Sequence, residues 1–134
     1  FVTIDFGTYY HGYCSDITRT VAVGKAKNPE LYKMFDVVRK AKDAGQNSLK
    51  PGMVMGELRD IIVKVVEDAG YHIPHGPGHN FGLDIHEQPY ICTGTIEPGI
   101  YIPGIGGVRQ EDDFLITEDG YRRITNITDA LITL

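Results

Sequence analysis

The sequence predicts an α+β fold in which antiparallel strands are backed by two helices. Three observations predict it: an alternating hairpin over residues 1–23, two amphipathic stretches between residues 29 and 69, and short Gly- and Pro-punctuated strands from residue 94 onward. At 134 residues, with 42% hydrophobic and 23% charged side chains, the chain is one domain or part of one and can bury a real core.

In the first segment Val2, Ile4 and Phe6 alternate with Thr3 and Asp5, the period of a half-buried strand. A turn is expected near Tyr10-His11-Gly12. The returning strand, Tyr13 to Val23, then places Asp16 opposite Asp5 and Ile17 opposite Ile4, so that both carboxylates leave one polar face and the isoleucines pack beneath. Asn28-Pro29-Glu30 is a helix start, with an N-capping side chain, proline at the first helical position and an acid in the first turn. Leu31, Met34, Phe35, Val38 and Ala41 recur at helical spacing until the stop signal Lys50-Pro51-Gly52. A second helix is expected from Met55 to Ala69, burying Leu58, Ile61, Ile62, Val65 and Val66 and closed by Gly70. Both helices read as core scaffold without chemistry. Glycine and proline then crowd residues 73–89, and four of the five histidines (His72, His75, His79, His86) fall within this region or beside it. Gly94 to Pro103, Gly107 to Thr117 and Tyr121 to Thr125 read as strands, the last two joined by a turn at Glu118-Asp119-Gly120.

Charge and composition exclude several classes. The formal net charge is −5 and there is no Lys/Arg run, so neither nucleic acid nor an anionic membrane surface is an expected partner. Cys14 and Cys92 are too few for a disulfide framework or a structural zinc site and read as ordinary buried thiols of a cytoplasmic protein. No stretch reaches the ~18 apolar residues of a membrane span. The chain opens in mid-strand at Phe1-Val2-Thr3-Ile4 without a methionine, so upstream sequence is expected.

Four carboxylates and one histidine sit in stiff local motifs: Asp5 in TIDFG, Asp16 in CSDITRT, His79 in HGPGHNFG, Glu97 in TIEPGIY and Glu111 in VRQEDD. An oxygen-rich set with one imidazole suits two divalent cations roughly 3.5 to 4 Å apart, an arrangement that generates and positions a hydroxide. Four carboxylates sharing a site resist ionisation unless something neutralises them, and two divalent ions balance that charge. The net charge of −5 would fall to about −1 with both ions bound, or about −2 with a bridging hydroxide.

In order and local sequence these motifs resemble the pita-bread metallopeptidases, the family of methionine aminopeptidase, prolidase and aminopeptidase P, over nearly the whole chain. GGVRQEDD, with Arg109 two residues before Glu111, is similar to the proline-specific branch, as are TIEPGIY and CSDITRT. The resemblance implies a partial pita-bread fold, a curved antiparallel sheet backed by two helices, with residues 1–134 as the C-terminal portion of the catalytic domain and the upstream half missing. It implies that Asp16 and Glu111 bridge two metal ions, that Asp5 completes one site, and that His79 and Glu97 complete the other. Mn2+ or Co2+ is the first expectation, with Zn2+ or Fe2+ as alternatives. His86 is implied to contact the substrate carbonyl and stabilise the tetrahedral intermediate, His75 to line the substrate site, and Arg109 to support the ligands beside Glu111. The implied reaction is attack by a metal-bridging hydroxide on a peptide bond next to proline, with Glu97 as proton shuttle. A proline-containing dipeptide or short peptide is the implied substrate, and the full-length protein a homodimer.

Between His86 and Glu97 the chain is shorter than the family pattern by roughly ten residues, which demands a tight connection. Asn80 and Gln110 stand where small or apolar residues are commoner. Two other readings remain: a non-catalytic pita-bread module that binds peptide or protein, and a metal-free relative acting on a small non-peptide molecule. Relatives of both kinds lose ligands, and this chain keeps all five. His11 and His72 lack a motif position and read as solvent-facing, while Tyr9, Tyr10, Tyr13 and Tyr101 read as packing aromatics.

Overall fold

The computed structural model describes residues 1–88 and 93–134. The elements run β1 (Val2–Tyr10), β2 (Tyr13–Ala22), α1 (Glu30–Ser48), α2 (Met55–Asp68), β3 (Thr93–Ile96), β4 (Gly99–Ile102), β5 (Gly106–Arg109), β6 (Asp112–Ile116), β7 (Tyr121–Arg123) and β8 (Ile132–Thr133). They form sheets of order β1-β2-β8, β3-β6-β7 and β4-β5, antiparallel except for the β2–β8 pair. The expected antiparallel sheet with two helices is present. The short strand β8 had no signal in the sequence beyond Ile132.

The helices form where expected, but Ile61 and Val65, expected in the buried face of α2, are only half-buried, at the margins of its apolar stripe. Leu31, Met34, Phe35, Val38 and Ala41 of α1 and Leu58, Ile62 and Val66 of α2 are buried, and they pack with Ile96, Ile100, Val108 and Phe114 of the strands into one core. Asn28 accepts the Glu30 N–H at 3.0 Å, serving as the cap one residue outside the assigned helix start. Gly70 closes α2 at φ 82°, a conformation that glycine adopts without strain.

Several expectations are corrected. First, the hairpin pairs Asp5 with Thr18, Gly7 with Asp16 and Phe6 with Ile17. The turn residues are His11 (φ 49°) and Gly12 (φ 88°), a two-residue connection closed by the Tyr10–Tyr13 pair, which moves the register two residues from the expected one. A two-residue shift keeps side chains on the same face, so Asp5 and Asp16 still emerge together, diagonally rather than opposite. Second, Ile4 and Ile17 do not pack beneath them. Val2, Ile4 and Phe6 are all more than 40% exposed, because the helices cover β3 to β6 and no described residue buries this outer face of β1.

Third, the two long strands are each broken, at Glu97-Pro98 and at Gln110-Glu111. Proline has no N–H for a ladder, and the Glu97 and Glu111 N–H groups leave their strands to pair with the carbonyls of Pro77 (2.8 Å) and Thr18 (3.0 Å). Fourth, α1 carries more than apolar scaffold. Lys42, on its buried stripe, is fully buried and donates to Asp112 and Asp129. Tyr9, Tyr10 and Tyr13 are 69%, 72% and 63% exposed rather than packed, and Cys14 is half-buried. His11 and His72 face solvent as expected, and the Cys92 expectation lies outside the described residues.

The loop before β3 is stitched to it by Thr95 N–H to the His79 carbonyl (2.8 Å) and Glu97 N–H to the Pro77 carbonyl (2.8 Å). Gly78, between these ties, lies so close that a Cβ would fall 2.3 Å from the Thr95 carbonyl oxygen. Main chain cannot retreat as a side chain can. Gly78→Ala is therefore expected to cost about 2 kcal/mol or more, measured by denaturant unfolding; a variant as stable as the parent would contradict this packing.

Candidate metal centre

Strand pairing and strand breakage together deliver the site. The polar face of the β1–β2 hairpin presents Asp5, Asp16 and Thr18, the stitched loop presents His75 and His79, and the two strand breaks present Glu97 and Glu111. All five expected ligands, with His75, His86 and Arg109, line one cleft of about 520 Å³.

At its centre is His79. Its Nδ1 donates to the Asn80 carbonyl oxygen at 3.1 Å, which leaves Nε2 as the ring nitrogen turned to the cleft. Nε2 faces Asp16 Oδ2 at 3.4 Å, Glu97 Oε1 at 3.7 Å and Glu111 Oε1 at 4.0 Å. Ligand atoms of Asp16, His79 and Glu111 all lie within 4.8 Å of one another. Donors that share one ion at about 2.0–2.6 Å are spaced on this scale. Glu111 supplies a second indication. Its Oε2 accepts from Thr18 Oγ1 at 2.6 Å, whereas its buried Oε1, the atom turned toward His79, has no hydrogen-bond partner among the described residues. A buried carboxylate oxygen without a donor is costly, and a cation shared with Asp16 and His79 removes that cost. The residues present fit a metal ion.

Asp5 stands apart from this cluster. Its half-exposed carboxylate is held by Arg109 Nη2, at the rim of the cleft. Arg109 also donates from Nε to Thr18 Oγ1 (3.1 Å) and from Nη1 to the Tyr101 hydroxyl (3.2 Å), and it lies 3.9 Å from Glu97 Oε2. One guanidinium thus binds or faces groups from β1, β2, β4 and the break at Glu97. The packing role expected for Tyr101 is corrected here. His75 Nδ1 donates to the Gly76 carbonyl at 2.7 Å and its Nε2 pairs with the Tyr101 hydroxyl at 3.1 Å, so Tyr101 links Arg109 to His75. The His86 ring lies 4.0 Å from that of His79, centroid to centroid, tilted by 31°.

Electrostatics follow from crowding and burial. Burial pushes Glu111 up to about 8, against the lowering effect of the Thr18 hydrogen bond and with help from Glu97, Asp16 and Asp5. Burial lifts Glu97 to about 7, opposed by Arg109 and reinforced by Asp16 and Asp5. Asp16 is raised by burial and by Asp5, against His79, His86 and Arg109. Each carboxylate resists carrying its charge beside the others.

Sequence reasoning missed Thr18, Tyr101 and Asp113. Asp113 Oδ2 accepts the Asp16 backbone N–H at 3.1 Å, fixing the main chain at that residue. Thr18 could have been found, because it lies two residues from Asp16 and so on the same face of the strand. Nothing local marks Asp113 beyond the acidic run of VRQEDD.

Residues 1–118 match the family described as metallopeptidase family M24. The chain is 41% identical over 144 residues to the Xaa-Pro dipeptidase of Pyrococcus furiosus, covering 98% of this chain and 41% of that protein. That alignment is longer than the 134 residues of this chain, so the relative carries residues that this chain lacks. Among solved structures, the Xaa-Pro dipeptidase from Bacillus anthracis superposes with a TM-score of 0.93 at 42% identity, covering 98% of this chain and 41% of that one. The X-Pro aminopeptidase from Thermotoga maritima superposes with a TM-score of 0.92 at 30% identity, over 98% and 41%. The chain thus spans about two fifths of the length of the relatives it matches. Its fold is a partial pita-bread fold. With the family match covering most of its length, the chain belongs to metallopeptidase family M24.

Proposed function

We propose that the chain is a portion of the catalytic domain of a dinuclear metal-dependent peptidase that cleaves a peptide bond next to proline. The observation that carries the reading is the close set of Asp16, His79 and Glu111, with a buried, unpartnered Glu111 oxygen turned into it. The names of the relatives, Xaa-Pro dipeptidase and X-Pro aminopeptidase, support a substrate with proline next to the cleaved bond. Among the described residues no helix is long and apolar enough to cross a membrane; a cytoplasmic location is part of the proposal.

Asp16 and Glu111 would each hold both ions, Asp5 would complete one and His79 with Glu97 the other. Two divalent cations, Mn2+ or Co2+ in the first instance, supply Lewis acidity and a water-derived nucleophile when bound. The remaining roles belong to the chain itself. Glu97, with Oε1 3.7 Å from His79 Nε2 and Oε2 3.9 Å from Arg109 Nε, would shuttle the proton of the attacking water. His86, whose ring lies beside that of His79, would donate to a substrate carbonyl oxygen as charge develops there. His75 lines the cleft with its ring fixed by Gly76 and Tyr101, and Arg109 holds Asp5, Thr18 and Tyr101 in their mutual positions.

Purified protein is expected to retain Mn2+ or Co2+ and to hydrolyse Ala-Pro or Gly-Pro substrates, with activity lost on chelation. Protein that holds no divalent metal and leaves these substrates intact would favour a binding module. Asp16→Asn and Glu111→Gln are expected to lower the specific activity by roughly 100-fold or more, and Cys14→Ala to leave it near that of the parent; equal losses from all three would overturn the bridging assignment.

Stability of the metal-stripped protein should depend on pH in a defined direction. Folded-state values of about 8 for Glu111 and about 7 for Glu97 and Asp113 lie above the values of the unfolded chain. Between about pH 4.5 and 8 the folded state therefore holds more protons than the unfolded state, and raising the pH removes stability. The melting temperature of chelator-treated protein is expected to fall from pH 5 to pH 8.5, and saturating Mn2+ to flatten the profile. A stripped protein that gains stability over this range would contradict the crowding.

A further inference from the structure

Next to the Glu111 segment lies a buried ion cluster that the proposed reaction does not use. The side chains of Lys42 and Asp112 are fully buried. Lys42 Nζ donates to Asp112 Oδ2 and to Asp129 Oδ1. Arg19 Nη2 reaches Asp112 Oδ1 at 2.5 Å, while Arg123 donates to the same oxygen at 2.9 Å and to Asp129 Oδ2 at 2.7 Å. Three cations from α1, β2 and β7 thus close on two carboxylates. A cluster of this kind is a poor source of stability, since apolar side chains of equal volume in its place are often neutral or stabilising. Its geometry suggests another use.

Arg19 couples the cluster to the metal centre. Its Nη1 donates to the carbonyl oxygens of Thr18 (2.8 Å) and Glu111 (2.6 Å). Those two residues already pair with each other, through the Glu111 N–H to the Thr18 carbonyl at 3.0 Å and through the Thr18 hydroxyl to Glu111 Oε2 at 2.6 Å. The main chain of Glu111 is therefore held at its N–H and at its carbonyl, and the next residue, Asp112, is gripped by three cations. Adjacent residues of an extended chain face opposite ways, so an anchor at Asp112 fixes how Glu111 is presented to the cleft. We propose that Lys42, acting with Arg19 and Arg123 through Asp112, is a positioning residue that aims the free Glu111 oxygen at the metal. This rests on the metal-centre reading given above.

The test is Mn2+ binding by the metal-stripped chain, with free ion read by its electron paramagnetic resonance signal and folding read by circular dichroism. Lys42→Met keeps the volume and removes the charge; it is expected to weaken Mn2+ binding by about tenfold. Val38→Ala, one turn before Lys42 at another fully buried position of α1, is the control for helix loosening and is expected to leave the affinity within about twofold, because it takes no charge from the cluster. Parental affinity in Lys42→Met, or an equal loss in Val38→Ala, would overturn the proposal. If Lys42→Met does not fold, Arg123→Gln, whose side chain reaches solvent, takes its place; weaker Mn2+ binding supports the proposal and unchanged binding overturns it. A parent chain that takes up no Mn2+ overturns the metal-centre reading as well, whereas normal uptake by the parent with unchanged variants overturns the positioning role alone.

Discussion

Carboxylates from four parts of the chain converge on one cleft, and holding them there against mutual repulsion is the constraint that organises the rest of the structure. Burial makes it harder, since Glu111 and Glu97 are lifted to about 8 and 7 where they stand. The fold answers with fixed positive charge and with backbone ties. Arg109 holds Asp5 on the cleft side, and the Lys42, Arg19 and Arg123 cluster grips Asp112 beside Glu111. Four of the five candidate ligands also have a pinned main chain: Asp16 by Asp113, Glu97 by Pro77, Glu111 by Thr18, and His79 by Thr95. A site built this way resists collapse and keeps its ligand atoms available for a cation.

Secondary structure here yields to chemistry at defined points. The breaks at Glu97-Pro98 and Gln110-Glu111 interrupt what would be two continuous strands, and both fall on candidate ligand residues. A side chain in an unbroken ladder is confined to the perpendicular of its sheet, whereas one at a break can be turned toward a neighbouring sheet. The bridge between Thr18 and Glu111 is the result, joining the hairpin to the segment between β5 and β6. Gly78 plays a matching part in the loop that carries His79, lying against Thr95 more closely than a Cβ allows.

Much of this was legible in the residues. Helical periodicity located α1 and α2, and their apolar stripes became the core, because a 3.6-residue repeat needs no distant information to be read. The five candidate ligands were legible through their motifs, and they do line a common cleft. The hairpin register was not, because it depends on which two residues make the turn, and His11 with positive φ is not a strong advance signal. The exposed face of Val2, Ile4 and Phe6 shows that alternation marks a face without saying what covers it. Lys42 sat in plain view among Val38, Ala41 and Gly45 on a buried stripe. Its partners Asp112 and Asp129 lie 70 and 87 positions away, and no local pattern reports a contact at that range.

That separation has a kinetic side. Arg109 meets Asp5 across 104 positions, and Thr18 meets Glu111 across 93. During synthesis the β1–β2 hairpin must wait, with its acidic face unsatisfied, until the segment carrying Arg109 and Glu111 has left the ribosome. Contacts of such high order form slowly, because the entropy of closing a long loop is lost before the contact returns anything. A chain in which β1, β2 and the Glu111 segment have not met cannot assemble the cleft, so ion capture would report that these distant segments had come together.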